Sequence, residues 1–250
     1  MRYFLELTYK GTRYSGFQVQ ANAHTVQAEV ERALKLLCRE EIGCTGSSRT
    51  DAGVHARQNF FHFDTEQDIP EGHVYKLNAI LPPDIAVRSI RPMPADAHCR
   101  FDAISRYYTY RIYTRKDPFL NDRGWFYPFP LDAAVLGDTA SLVLGTHDFG
   151  AFAKRNSQVK TFRCQLMESR WAAVEHGWEY HVRGNRFLRG MVRGLVGTMV
   201  RAARGGGGVD AFRAVMASGD NQQADFTAPG HGLMLVEVAY PEGYFGAGEK

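Results

Sequence analysis

Ser48-Arg49-Thr50-Asp51-Ala52-Gly53-Val54-His55 is the stretch from which the fold can be read, because it divides one β-rich region into two. Residues 42–45 before it and 58–63 after it read as strands, while Gly53 permits a backbone turn that other residues resist. The stretch therefore predicts a loop between two strands. Asp51 stands on that loop two residues from Arg49, a cation able to hold the carboxylate ionised and to clamp it in bidentate geometry. Such a pair describes a prepared nucleophile or base. It equally describes a turn-forming Asp in an exposed ion pair.

Working outward, alternation over residues 3–9 predicts a strand, and Thr25 is placed to cap a helix with Val26, Val30, Ala33, Leu34 and Leu37 on one face, ending near Glu40. Beyond the loop, a helix over 71–80 is stopped by Pro82-Pro83, and a strand follows over 85–90. The order is β-α-β-β-α-β. After the Pro-rich Arg91-Pro92-Met93-Pro94, it begins again with a strand over 107–113 and a helix over 131–144. Strands over 162–174 and 178–182, helices over 186–204 and 209–217, and a strand over 233–240 complete it. The expected class is α+β. Two ferredoxin-like halves, residues 1–94 and 95–250, would each carry an antiparallel sheet with helices on one face, with a central basic cleft between them. No sequence repeat accompanies the repeated order.

Composition narrows the function. With 250 residues and 44% hydrophobic content the chain can bury a large core. Its net charge of +3 hides an asymmetry, since residues 154–204 carry eleven Lys or Arg against three Glu. A field of that sign suits an anionic partner such as a polyphosphate backbone, although solvated helix faces also collect charge. The beginning lacks the apolar run of a signal peptide and no stretch is long and uncharged enough to span a bilayer, so cytoplasm is the expected location and no membrane the expectation. Cys38, Cys44, Cys99 and Cys164 are scattered without a Cys-x-x-Cys pair and read as small buried hydrophobes. His55 and His62 lack companions at metal-ligand spacing, so no metal is expected. The glycine run at 205–208 follows a helix, lacks a Walker ending and reads as a flexible stop.

Three further groups are candidates. In the helix over 186–204, Arg189 and Arg193 are four apart and would share a face, offering a double cation to phosphates or to Asp51, or simply to solvent. Tyr108 and Tyr110 point to the same side of their strand, to pack in the core or to line a cleft, where a ring could stack on a displaced base and a phenol could handle a proton. The loop Tyr14-Ser15-Gly16-Phe17-Gln18-Val19-Gln20 is suited to cover or read an RNA segment, and is also compatible with a plain loop.

Taken together, the Asp51 motif, Tyr14-Ser15-Gly16-Phe17-Gln18, Asn78-Ala79-Ile80-Leu81-Pro82, Arg100-Phe101-Asp102-Ala103, Asp148-Phe149-Gly150-Ala151-Phe152, Phe187-Leu188-Arg189-Gly190-Met191-Val192-Arg193 and Ala228-Pro229-Gly230-His231-Gly232-Leu233 resemble the tRNA pseudouridine synthase A family. The motifs are collinear and cover nearly the whole chain. The resemblance implies an enzyme that isomerises uridine to pseudouridine at positions 38, 39 and 40 of the tRNA anticodon stem-loop, as a homodimer and without cofactor or metal. It implies that Asp51 is catalytic and Arg49 its partner, that Tyr108 stacks on the target base, and that Arg193 is the basic residue near the aspartate. Arg189, Gln18 and Phe17 join Tyr108 as expected substrate contacts. Phe17 stands where the family often has Trp, Cys99 where Ala is common, and the four-glycine run is richer than usual. A ferredoxin-like RNA binder without chemistry is the alternative reading, and Asp51 beside Arg49 weighs against it, because a pure binder gains nothing from an anion in a phosphate-binding surface.

Overall fold

Contacts group the chain into two units, Met1–Ser105 with the chain from Leu235 onward, and Arg106–Met234. The computed structural model describes residues 1–154 and 159–246. The first unit runs β1 (Arg2–Tyr9), α1 (Val26–Cys38), β2 (Thr45–Gly46), β3 (His55–Asp64), α2 (His73–Ile80) and β4 (Ile85–Met93), the β-α-β-β-α-β order expected from the sequence. The second runs β5 (Ser105–Tyr113), β6 (Trp125–Phe126), α3 (Ala133–Leu142), β7 (Gly145–Asp148), β8 (Arg163–Val174), β9 (Gly177–Gly184), α4 (Met191–Ala203) and α5 (Gly208–Ser218). Strand β10 (Leu233–Ala239) returns the chain to the first unit, where its Val238 N–H donates to Gln58 Oε1 at 3.0 Å. The fold is mixed α/β, with extensive sheet and five α-helices among the described residues.

In the first unit β1 is central, antiparallel to β3 on one side and to β4 on the other, with Leu5 opposite both Phe61 and Ile90. Phe4, Leu5, Leu7, Phe61 and Phe63 are all but fully buried. Thr25 caps α1 as expected, its hydroxyl accepting from Ala28 N–H, and Val26, Val30, Ala33 and Leu34 form the buried face. Asn78 fastens α2 to β4 in both directions, donating to Val87 O at 2.9 Å and accepting from Val87 N–H at 2.7 Å. Those two bonds give the Asn of the 78–82 motif a structural reason.

The second unit lines up β5, β9, β8 and β7 as antiparallel neighbours, with β6 parallel to β5. Helix α4 is buried over most of its circumference, including Met191, Leu195, Val196 and Met199. It is shorter than the apolar pattern predicts. Gly190 has φ +74°, a left-handed conformation that cannot continue a right-handed helix, so the helix starts at Met191 rather than near Arg186. Arg189 therefore lies in the preceding turn and does not share a helical face with Arg193. The short strands β6 and β7 were not predicted, because two to four residues are too few to show a period.

Candidate active site

Asp51 lies on the loop between β2 and β3, as the sequence implies, and is half-buried. The backbone around it is tied at several points. Phe17 N–H donates to Thr50 O at 3.0 Å, Val54 N–H to Asp51 O at 3.2 Å, and Gly53 N–H to Tyr14 O at 3.3 Å. The Tyr14–Gln18 loop and the Asp51 loop therefore form one layer. Their approach is close: Gly16 has φ +103°, and a Cβ there would stand 3.1 Å from Thr50 O and 3.3 Å from Ala52 N.

Beneath the loop is a buried polar network. Asn59, fully buried on β3, donates to Ser48 O at 3.0 Å and to Tyr9 Oη at 3.2 Å, and accepts from Ser47 Oγ at 2.7 Å. Tyr9 Oη is 2.8 Å from Thr50 Oγ1. His55 Nδ1 accepts from Gly11 N–H at 3.0 Å, closing the far end of the loop onto the turn after β1. Ser48 Oγ is buried without a hydrogen-bond partner among the described residues. Neither Asn59 nor Tyr9 was singled out from the sequence. The available signal was the pair of amides, Gln58 and Asn59, that opens the aromatic 58–63 run.

The other expected site residues of this unit divide by exposure. Arg49 is exposed. Gln18 is exposed on its loop. Phe17 is only 2% exposed, its ring 4.7 Å from that of Phe61 and seated over Gly46, where a Cβ would fall 2.0 Å from Phe17 Cζ. Its ring is thus core, and what Phe17 presents to the site is its backbone bond to Thr50. Tyr14 donates to Asp84 Oδ1 at 2.5 Å, and burial followed by that carboxylate pushes the phenol well above its ordinary range, so it stays protonated.

The second unit holds Tyr108, Arg189 and Arg193. Tyr108 and Tyr110 share a face of β5 as alternation requires, and Tyr110 is fully buried while Tyr108 retains 9% exposure with its ring edge-on to Phe187 at 5.1 Å. Arg193, half-buried on α4, donates from Nε to Ala228 O at 2.7 Å. Tyr110 donates to Pro229 O at 2.8 Å. Together these bonds hold the Ala228-Pro229-Gly230-His231 segment, so the late motif of the sequence is the loop that α4 and β5 anchor. Arg189 is exposed, with its carbonyl accepting from Lys154 N–H at 2.9 Å.

One cluster away from the Asp51 loop has metal-ligating side chains: donor atoms of His62, His98 and Cys99 lie within 4.8 Å of one another. Their hydrogen bonds already engage them. His98 Nδ1 accepts from the N–H groups of Arg100 and Phe101 at 3.1 and 3.4 Å, Cys99 Sγ lies 3.1 Å from Thr45 O, and His62 Nδ1 faces Cys99 Sγ at 3.2 Å. Burial, then the charge of Arg2, lowers the His62 pKa to about 4, keeping the ring neutral. All four cysteines are free and buried.

A half-buried carboxylate on a braced loop, in a chain whose 154–204 stretch is strongly basic, is an arrangement suited to an enzyme that acts on RNA. A family model described as tRNA pseudouridine synthase matches residues 7–102 and 139–241, and the chain belongs to that family. A protein of Parabacteroides distasonis named tRNA pseudouridine synthase A is 41% identical over 98% of both chains. Proteins of the same name from Porphyromonas gingivalis and Staphylococcus aureus are 40% and 36% identical, covering 98% and 97% of this chain and 99% and 93% of their own.

Proposed function

We propose that this protein isomerises uridine to pseudouridine at positions 38, 39 and 40 of the tRNA anticodon stem-loop, with Asp51 as the group that acts on the nucleotide. The observation that carries the reading is the Asp51 loop itself: a half-buried carboxylate whose flanking backbone is hydrogen-bonded on both sides, in a chain of a pseudouridine synthase family. The reaction breaks the bond from C1′ to uracil N1, turns the ring, and joins C5 to C1′, with the C5 proton released to solvent and N1 regaining one. Asp51 serves either as a nucleophile on sugar or base, or as a base on the sugar C2′ proton. A target base must leave its stack to be turned, and Tyr108 supplies a ring for it. A closed site also keeps the detached uracil from escaping.

Arg189, Arg193 and Gln18 are assigned to RNA contact and charge balance, Arg49 to the same electrostatic environment as Asp51, and Phe17 to the seating of the loop. The same reading takes each half, divided near residue 94, as ferredoxin-like, and the working form as a cytoplasmic homodimer. Among the described residues no helix is long and apolar enough to cross a membrane. The test is tritium release from [5-³H]uridine-labelled tRNA with pseudouridine mapping of the product. Wild type should release tritium and mark positions 38–40; Asp51→Asn should bind tRNA and release none. Turnover by that variant overturns the reading. Light scattering on the pure protein tests the dimer.

A further inference from the structure

We propose that Tyr9 and Asn59 are positioning residues for Asp51, holding its loop through Ser48 and Thr50; the proposal rests on the catalytic reading of Asp51. Asn59 sits opposite Leu7 in the β1–β3 pairing, at the centre of a sheet whose neighbours are apolar. A buried amide is costly there unless every polar atom is met. Here all are met: Nδ2 donates to Ser48 O and Tyr9 Oη, and Oδ1 accepts from Ser47 Oγ and, at 3.0 Å, from Phe60 N–H.

Tyr9 Oη accepts from Asn59 and shares a second hydrogen bond with Thr50 Oγ1 at 2.8 Å, in which either hydroxyl can donate. The result is a relay from strand β3 through strand β1 to the residue immediately before Asp51. Each bond polarises the next, and the loop is fastened to two paired strands rather than to another loop. Thr50 is gripped twice, since its carbonyl accepts from Phe17 N–H at 3.0 Å. A well-packed apolar residue at 59 would serve the sheet as well, but it would release Ser48 O and Tyr9. A displacement of about 1 Å at a reacting group is enough to cost on the order of 100-fold in rate.

The experiment measures kcat and KM on tRNA, at a temperature well below thermal unfolding, for Tyr9→Phe, Thr50→Val, their double variant, Thr50→Ser and Asp51→Asn. The expected result is a fall in kcat of about ten-fold in Tyr9→Phe and in Thr50→Val with KM within about two-fold, on the scale of a slightly misplaced reacting group. Thr50→Ser, which keeps the hydroxyl, should restore kcat. The double variant should be no slower than the slower single variant, because both remove the same bond. A purely structural role would lower the unfolding temperature and leave kcat per folded molecule unchanged. If Asp51→Asn is inactive while Tyr9→Phe and Thr50→Val keep wild-type kcat, or their losses multiply, the positioning role is overturned and the catalytic reading stands. Turnover by Asp51→Asn overturns the catalytic reading and the positioning role with it.

Discussion

The phenol of Tyr110 donates to the carbonyl of Pro229 at 2.8 Å from a fully buried position on β5. Gly232 leaves the room for this ring, since a Cβ there would stand 2.6 Å from Tyr110 Cζ. The bond fixes the start of the 229–232 turn, and Arg193 fixes the preceding carbonyl of Ala228 at 2.7 Å. Tyr110→Phe removes one buried hydrogen bond and strands its acceptor. The expected cost is about 1–2 kcal/mol, read as a lower midpoint in urea with unchanged slope.

Gly16 touches the Asp51 loop where no side chain fits. Alanine there meets Thr50 O at 3.1 Å and sits at φ +103°, which an L-residue rarely adopts. Gly16→Ala should lower kcat by about ten-fold or more through displacement of the loop, with tRNA binding largely kept. Steady-state kinetics beside a binding assay checks it. An unchanged kcat would mean that the two loops move apart without consequence for Asp51.

His62 makes stability depend on acid. Its folded pKa, about 4, lies below the unfolded value near 6.5, so between the two the unfolded chain binds more protons than the folded one. Lowering the pH from about 6.5 towards 4 therefore erodes stability. His62→Gln should flatten that part of the profile, as measured by unfolding midpoints at a series of pH values.

Thr25 is fully buried and its hydroxyl caps α1 by accepting from Ala28 N–H at 3.3 Å. Thr25→Ala should destabilise the protein by about 1 kcal/mol. Because α1 carries no part of the proposed chemistry, kcat at low temperature should stay near wild type, and thermal unfolding should register the loss.

Much of the fold was legible because it is written in local periods. The apolar spacing of Val26, Val30, Ala33 and Leu34 with Thr25 ahead of it suffices for α1, and alternation suffices for β1 and β5. The start of α4 was not legible. Apolar residues continue through Phe187 and Leu188 at helical spacing, and only the backbone of Gly190, at φ +74°, ends the period there. That conformation separates Arg189 from the helix that bears Arg193.

By itself the sequence determined the element order of the first unit, the loop position of Asp51, the basic 154–204 stretch and, through collinear motifs, the family resemblance. Each of these is a property of neighbours along the chain, where residue type and spacing act directly. Only the tertiary structure decided that Phe17 is core, that Arg49 is exposed, and that Asn59 and Tyr9 reach the Asp51 loop. Tyr9 and Thr50 are 41 residues apart in sequence, and what joins them is the β1–β3 pairing. Strand register brings such atoms to hydrogen-bonding distance, and no local pattern encodes it.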